Sequence, residues 1–411
     1  MTAKGLPLRS KLATSLSRSA AALSRAAGRG DGSVIGGRIG LIIDPELLAN
    51  LAAGRDIALI SGTNGKTTTT RLTTAAMSIL GRVATNGLGA NMPTGHASAL
   101  AKAGTTRYAV LEVDEHYLDQ VLTATRPRVV GLLNLSRDQL DRAKEVAMMA
   151  DLWRTTIEAH PEVHIVANAD DPMVTWAAAT AKSVTWVAAG QRWHDDSWVC
   201  PECGARIERD GDRWWCNGCS LSRPTPQWAV ASGGVIDPSG TYRDVRLQLP
   251  GRVNLANAAT ALAIATCFGA PIIHALPRLA DVTSIAGRYA TVVRDERTIR
   301  LLLAKNPAGW LEAFDMAEQA PTLLSINARD PDGLDTSWLY DVDFSPLRGR
   351  RVLITGDRAM DLAVRLEVNG VPFDHVTSFG QALAAVPPGW FEVIANYTAF
   401  QDIRAELDRV N

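Results

Sequence analysis

The chain has 411 residues and a formal net charge of −1, from 42 basic and 43 acidic side chains. The length predicts two or three domains. Hydrophobic residues make up 46% and charged residues 21%, a composition that excludes a wholly disordered chain. The balanced charge neither favours nor opposes a polyanionic partner, and no apolar run reaches the roughly 18 residues that span a bilayer.

The N-terminal segment, residues 1–30, is basic and rich in Ala and Ser, and it lacks the continuous apolar stretch of a secretory signal. We expect a solvated amphipathic helix with its arginines facing water; a transit peptide and a membrane-surface helix are the alternatives. The Gly-rich stretch from Gly28 to Gly40 predicts a loop. A short helix is expected over 45–53.

Short apolar runs alternate with helix-like segments through the rest of the chain. The predicted strands are 56–60, 108–113, 129–133, 164–167, 184–188, 298–303, 322–327, 351–355 and 391–395. The predicted helices include 67–80, 139–159, 307–320, 358–368 and 398–410. This alternation is typical of α/β domains with a mostly parallel sheet. We expect an N-terminal helix and lead-in over 1–55, a central α/β domain over 56–285 and a second α/β domain over 286–411.

The segment from Ser61 to Thr68 follows an apolar strand and opens a helix, as a phosphate-binding loop does. Its glycines let backbone N–H groups close around phosphate oxygens, and the helix N-terminus adds positive potential. Lys66 would neutralise the β- and γ-phosphates, and Thr67 would offer its hydroxyl to Mg²⁺. The general pattern G-x-x-x-x-G-K-[ST] wants its first Gly at Ile60, but the Gly stands at position 62. A plain strand–turn–helix corner is the alternative to a nucleotide site.

Four of the five cysteines form two C-x₂-C pairs with twelve residues between the pairs. They are Cys200, Cys203, Cys216 and Cys219. Four thiolates satisfy tetrahedral Zn²⁺ and leave no open position, so the pattern predicts a structural zinc ribbon, inserted at about 195–226. A redox pair, disulfides and an iron–sulfur cluster are the alternatives. The mixed charges of the insertion do not favour nucleic-acid binding.

The fifth cysteine, Cys267, lies in an apolar helical segment and predicts a buried packing thiol. With the other four on a metal, the chain offers no plausible nucleophilic cysteine of its own for glutamine hydrolysis.

The loop from Gly62 to Thr68 resembles the ATP loop of the Mur ligases and of their folylpolyglutamate synthase relatives. Further matches follow in the family's order: Leu111-Glu112-Val113-Asp114, the segment 134–142, the segment 251–257 and Gly287-Arg288. The resemblance implies that Glu112 binds Mg²⁺, Asn257 meets the adenine and Arg288 reaches the nucleotide. It also implies ATP contacts from Gly62, Thr63, Asn64, Gly65, Lys66, Thr67 and Thr68.

Two positions depart from the Mur ligase pattern. Gln139 stands where the family usually has His, which affects a second metal site. The segment from Ala304 to Pro307 stands where the family has D-Y-A-H-N-P, and it lacks the Asp and the His. These absences argue against the addition of an amino acid.

The last block carries an Asp-rich segment, 327–343, that includes D-x-S-W-x-x-D. Together with the ATP loop and the four cysteines, it resembles the MurT family, the synthase subunits of lipid II isoglutaminyl synthases, over nearly the whole chain. The resemblance implies ATP-dependent amidation of the α-carboxyl of D-glutamate in lipid II, through an acyl phosphate. A GatD-type glutaminase, bound as a heterodimer, would supply the ammonia.

The same resemblance implies catalytic roles for Lys66, Glu112 and Asp335. Asp335 would complete the Cys–His pair of the glutaminase, with Asp332 and Asp341 as rivals for that role. ATP, Mg²⁺ and structural Zn²⁺ are the expected cofactors, and the expected location is the cytoplasm, at the inner face of the plasma membrane.

Two other functions are weighed against this one. The first is an amino-acid-adding Mur ligase or folylpolyglutamate synthase-like ligase that works without a glutaminase. The second is a nucleotide-gated zinc-ribbon binding module that catalyses no transfer.

Overall fold

The computed structural model describes residues 5–26, 32–87, 89–137, 146–283, 289–317 and 319–408. The chain divides into two compact units. The first comprises Met1–Leu135, Val146–Gln248 and Val253–Thr283. The second comprises Ser136–Glu145, Leu249–Arg252 and Ser284–Asn411. The bounds 55/56 and 285/286 suggested by the sequence stay predictions.

The first unit is built on a nine-stranded sheet and carries a separate two-stranded hairpin. Its strands are β1 Asp56–Ser61, β2 Val83–Thr85, β3 Tyr108–Glu112, β4 Val129–Leu132, β5 His164–Asn168, β6 Val184–Ala188, β7 Ile207–Asp210, β8 Arg213–Cys216, β9 Trp228–Ala231, β10 Gly234–Ile236 and β11 Tyr242–Asp244. Its helices are α1 Leu8–Ala26, α2 Ser33–Ile43, α3 Leu47–Ala52, α4 Lys66–Met77, α5 Pro93–Ala103, α6 Leu118–Thr125, α7 Val146–Ala159, α8 Pro172–Ala178, α9 Arg252–Cys267 and α10 Ile272–Ala275. Helix α9 starts at Arg252, which belongs to the second unit.

The strands of the large sheet lie in the order β11-β10-β9-β6-β5-β4-β1-β3-β2, and β7 with β8 forms the hairpin. Pairing is parallel from β2 to β9 and antiparallel through β9, β10 and β11. Because parallel strands all point the same way, their carboxyl ends share one edge of the sheet. That edge carries the loop after β1 and the end of β3.

The central strand β1 is buried on both faces, which explains its continuous apolar sequence. Ile57 and Leu59 enter the core on one side of the sheet, whereas Ala58 and Ile60 enter the core on the other. The first core packs against helices that include α3, α5, α6 and α7, and the second packs against α4 and α9. Burial on both faces thereby fixes the strand that carries the phosphate-loop segment at its end.

The N-terminal helices differ from the sequence-based expectation in two ways. The arginines of α1 face water as predicted, but its leucines do so as well, and the buried face consists of Ser, Ala and Thr. The loop predicted over Gly28–Gly40 is wrong from Ser33 onward, where α2 begins. A Cβ on Gly36 would lie 2.7 Å from the carbonyl oxygen of Ser17. The glycines thus serve close helix packing rather than a turn.

The second unit has a six-stranded sheet in the order β12-β13-β17-β14-β15-β16, antiparallel between β12 and β13 and parallel elsewhere. Its strands are β12 Tyr289–Arg294, β13 Arg297–Leu303, β14 Thr322–Ser325, β15 Val352–Thr355, β16 Phe373–His375 and β17 Gly389–Ala395. Its helices are α11 Pro307–Met316, α12 Ala359–Val368, α13 Phe379–Ala385 and α14 Tyr397–Asp408. The α/β prediction is confirmed for both sheets. Within the described part of the chain, no helix has both the length and the apolar character needed to cross a bilayer.

Candidate active site

The phosphate-loop segment joins β1 to α4 and depends on two glycines. Gly62 has φ 145° and Gly65 has φ 84°, values that L side chains rarely adopt. A Cβ on Gly62 would lie 2.8 Å from the Cβ of Leu133, and one on Gly65 would lie 2.7 Å from Oδ1 of Asn257. Backbone freedom and tight packing therefore both require glycine at these positions.

Asn134, just beyond the end of β4, holds the phosphate loop by hydrogen bonds. Its side-chain Oδ1 accepts the N–H of Asn64 at 2.9 Å, and its Nδ2 donates to the Asn64 carbonyl at 3.1 Å. Its own carbonyl accepts the N–H of Thr63 at 2.9 Å. No role was predicted for Asn134, although its place at the same sheet edge as the loop is a signal that it lies near.

Lys66 is buried, and its ammonium group lies among oxygen acceptors. Its Nζ lies 3.0 and 3.1 Å from the two carboxylate oxygens of Glu115, and it also donates to the carbonyls of Gly62 and Thr63. Burial raises the pKa of Glu115, and the charge of Lys66 partly opposes that rise. Sequence reasoning missed Glu115; its place three residues beyond Glu112, at the same sheet edge, was the available signal.

Glu112 ends β3 and is 1% exposed. Within the described part of the chain, neither of its carboxylate oxygens has a hydrogen-bond partner. Its backbone is firmly held, because Asn86 bonds both its N–H and its carbonyl at 2.8 Å, and Nε2 of His96 donates to that carbonyl at 2.7 Å. Burial lowers the pKa of His96 to about 4, so the ring is neutral at pH 7.

A buried carboxylate without a partner is unfavourable unless a cation or donor compensates its charge. Carboxylate and hydroxyl oxygens are ligands that Mg²⁺ accepts. The strand register pairs Ile60 of β1 with Glu112 of β3, and the buried Thr67 lies in the first turn of the helix that follows β1. The residues present therefore fit a magnesium ion.

Asn257 lies on α9 and contacts the start of α4. Its Oδ1 accepts the hydroxyl of Thr69 at 3.1 Å, and its Nδ2 donates to Oδ1 of Asn254 at 3.2 Å. It thus belongs to the surroundings of the loop, and its contact with adenine stays a prediction. Arg288 and Gln139 lie outside the described residues.

The four cysteines of the insertion come together at one point. Their Sγ atoms all lie within 4.8 Å of one another, with 3.7 Å between Cys200 and Cys219 and 3.4 Å between Cys203 and Cys216. Sulfurs bound tetrahedrally to one Zn²⁺ at about 2.3 Å would be about 3.8 Å apart. The donor set and its spacing fit such an ion.

Polar contacts tie the insertion to the large sheet. Nε1 of Trp214 donates to the carbonyl of Ala169 at 3.0 Å, and Arg223 pairs with Asp170 at 2.7 Å. Both acceptors lie between β5 and α8, and Trp214 is buried. These contacts fasten the insertion to the core, and a cysteine cluster in such a fixed segment suits a structural role.

The three candidate aspartates of the Asp-rich segment differ in their contacts. Asp332 accepts the N–H of Thr398 at 2.8 Å and also its hydroxyl. Asp341 pairs with Arg137 at 3.1 Å. Asp335 is exposed and accepts the N–H of Ser337 at 2.8 Å, a bond that lowers its pKa. Asp335 is therefore ionised and accessible at neutral pH.

Two family models match this chain. Residues 60–265, half of the chain, match the Mur ligase middle domain. The chain belongs to the Mur ligase family. Residues 303–400 of this family member match the model described as MurT ligase C-terminal, which confirms the resemblance to the MurT family.

Similar proteins extend over nearly all of this Mur ligase. It is 28% identical to the MurT subunit of lipid II isoglutaminyl synthase (glutamine-hydrolyzing) from Streptococcus pneumoniae, covering 92% of this chain and 93% of that one. It is 29% identical to the subunit of the same name from Staphylococcus aureus, covering 98% of each. A solved pseudomurein peptide ligase type C from Methanothermus fervidus shares the fold, with a TM-score of 0.68 and 17% identity over 89% of this chain and 81% of that one.

Proposed function

We propose that this protein is the synthase subunit of a lipid II isoglutaminyl synthase. It amidates the α-carboxyl of D-glutamate in lipid II at the inner face of the plasma membrane, with ATP as the energy source. Similarity to two MurT subunits over 92% or more of the chain carries this proposal. The loop of Lys66 beside the buried carboxylate of Glu112 supplies the chemistry that such a reaction needs.

The loop amides and the N-terminus of α4 bind the nucleotide phosphates, and Thr67 and Glu112 would hold Mg²⁺, which would neutralise phosphate charge when bound. Lys66 gives up the Glu115 carboxylate for a phosphate oxygen, so it exchanges one anionic partner for another. Its charge then stabilises the transferring phosphoryl group.

Activation is needed because a carboxylate is a poor electrophile at neutral pH. A carboxylate oxygen of the substrate attacks the γ-phosphorus, the bond to ADP breaks, and an acyl phosphate forms. Ammonia adds to the acyl carbon and loses a proton, and inorganic phosphate departs as the C–O bond breaks. The product is the amide, D-isoglutamine.

Ammonia comes from a GatD-type glutaminase, and Asp335 orients the histidine that activates the cysteine of that partner. Exposed apolar side chains near Asp335 support a docking surface there: Leu334 and Tyr340 are 61% and 70% exposed. Tyr340 packs under Arg365 of α12, a helix that also exposes Val364 and Val368. Apolar patches of this kind mark protein interfaces.

The deciding experiment supplies the purified chain with ATP, Mg²⁺ and the lipid-linked peptide, and varies the nitrogen source. Ammonium chloride should support phosphate release and a mass change of the peptide that corresponds to one amide. Glutamine should do so only when the glutaminase is present. Turnover with an amino acid instead of ammonia would identify an amino-acid-adding ligase and refute the proposal.

A further inference from the structure

Helix α1 carries one buried and one exposed stripe along its length. Ser10, Ala13 and Ser17 belong to the buried stripe of small residues. A second stripe is apolar and exposed, and it consists of Leu8 (84% exposed), Leu12 (57%), Leu16 (42%) and Leu23 (71%). At about 100° per residue, these four leucines lie within roughly 80° of arc. They therefore form one continuous row that no described residue covers.

Helix α2 packs against α1 through the contact of Gly36 with Ser17 and has exposed apolar side chains of its own. Val34, Ile35 and Ile42 are 55%, 43% and 70% exposed, and they lie on the side of α2 away from this contact. Isolated exposed leucines are ordinary, but four in one row on a single helix are not. We call the four leucines of α1 the N-terminal apolar face.

Basic residues flank the leucine row. Lys11, Arg18 and Arg25 share one flank of α1, and Arg9 lies on the other. Arg38 adds a fifth cation on the exposed side of α2, and neither helix contains an acidic residue. The two helices thus carry a charge of +5 in a chain whose formal net charge is −1.

We propose that the N-terminal apolar face docks onto the surface of an anionic bilayer. Leucines would enter the boundary between headgroups and acyl chains, and the flanking cations would stay at the level of the lipid phosphates. A nucleic acid would leave the leucines exposed, and a second copy of this chain would bring five cations against five. An anionic lipid surface complements both the apolar row and the charge.

Docking of this kind deepens the proposed function, because it would hold the enzyme where a lipid-linked substrate resides. Its test uses vesicles that contain no such substrate, so the two ideas fail separately. Loss of vesicle binding with intact amidation would overturn only the docking. Vesicle binding without amidation would overturn only the proposed function.

The experiment is sedimentation of the full chain with vesicles of phosphatidylglycerol and phosphatidylcholine, compared with vesicles of phosphatidylcholine alone. The wild type should bind the anionic vesicles, and high salt should weaken that binding. Lys11→Gln should reduce affinity about fivefold. Free pyrophosphate should compete weakly, since it lacks the apolar part; full competition would indicate a soluble phosphate ligand and overturn the bilayer assignment.

A matched pair of double variants tests the apolar row. Leu8→Ser with Leu23→Ser should weaken binding at least about tenfold. Ile273→Ser with Val293→Ser should not, although Ile273 and Val293 are 71% and 74% exposed. Equal losses in both pairs would overturn the proposal, as would equal binding to both vesicle types. Thermal melting shows whether each variant is folded. Leu12→Ser replaces the leucine double variant if that variant is not folded. Size exclusion without vesicles shows whether a second copy occupies the face instead, which would also overturn the proposal.

Discussion

The ammonium of Lys66 lies 3.0 Å from the carboxylate of Glu115, and the two side chains are only 7% and 11% exposed. Each group compensates the charge of the other in a place that water scarcely reaches. Breaking such a pair from one side leaves an uncompensated buried charge, whereas removing both charges together does not. Stability and nucleotide binding can therefore be separated at this site.

Lys66→Ala should abolish ATP-dependent amidation and reduce the free energy of unfolding by about 3–5 kcal/mol, because Glu115 keeps its charge without a partner. The double variant Lys66→Ala with Glu115→Gln should regain most of the stability and remain unable to bind ATP. Urea unfolding and calorimetric titration with nucleotide measure the two effects. Retained turnover in Lys66→Ala would remove the ATP assignment.

The stability loss of Lys66→Ala should shrink as the pH falls. Burial raises the pKa of Glu115, and Lys66 opposes that rise. A carboxyl group whose pKa is raised on folding contributes stability below its unfolded pKa and loses it as pH rises through its folded pKa. Without Lys66 the folded pKa rises further, so acidification from neutral pH should protonate Glu115 and restore stability. The double variant should lack this dependence.

Glu112→Gln should leave the fold intact and weaken the dependence of nucleotide binding on Mg²⁺, since it keeps the shape of a buried side chain and removes its negative charge. Titration of ATP at several Mg²⁺ concentrations measures the change. Asp119→Asn, on the exposed side of α6, is the matched loss of a carboxylate and should behave as wild type. An unchanged Mg²⁺ dependence in Glu112→Gln would place the metal elsewhere.

His96→Gln should remove a component of acid instability. Burial lowers the pKa of His96 from 6.5 to about 4. A group with a lowered pKa contributes stability above its unfolded pKa and loses it as pH falls, here between 6.5 and about 4. The loss over that window is roughly 3 kcal/mol. Gln can still donate to the Glu112 carbonyl but does not titrate, so its unfolding free energy should fall less between those two pH values.

Asp335→Asn should reduce glutamine-dependent amidation by orders of magnitude in the complex with the glutaminase and leave ammonia-dependent amidation intact. The reason is that Asp335 would act on the histidine of the partner, not on the ATP site. Asp343→Asn is a control, because Asp343 is an exposed neighbour that caps a different turn. Equal losses with both nitrogen sources would indicate damage to the synthase itself.

Metal analysis should find about one zinc per chain. Cys203→Ser should lose the metal and lower the melting temperature, whereas Cys267→Ser should keep the metal, since the Cys267 thiol lies in α9 and donates to the Ala263 carbonyl. A wild-type protein whose melting temperature is the same with and without metal would exclude the zinc ribbon. The rate of amidation with ammonia should fall less when a mild chelator removes zinc than when Mg²⁺ is withheld.

Features formed by residues close together in the sequence could be predicted. Features that depend on contacts between distant segments could not. Gly62 and Lys66 were predicted because the phosphate loop is one contiguous segment, and Glu112 was predicted because its segment resembles the Mur ligase pattern. The Lys66–Glu115 pair was not, because it joins the ends of two neighbouring strands whose order the sequence does not reveal. The glycines of residues 28–40 predict a loop, whereas Gly36 lies within helix α2 and allows it to pack closely on Ser17. Composition alone does not distinguish glycines that permit helix packing from glycines that form a turn.

The two-sided hold on the phosphate loop has a kinetic consequence. Asn134 fixes Thr63 and Asn64 by three hydrogen bonds, and Asn257 sits against Gly65. A loop restrained in this way gives up little conformational entropy when its ligand arrives. Association with nucleotide should therefore proceed as a single exponential phase, without a slow rearrangement of the backbone that receives the phosphates.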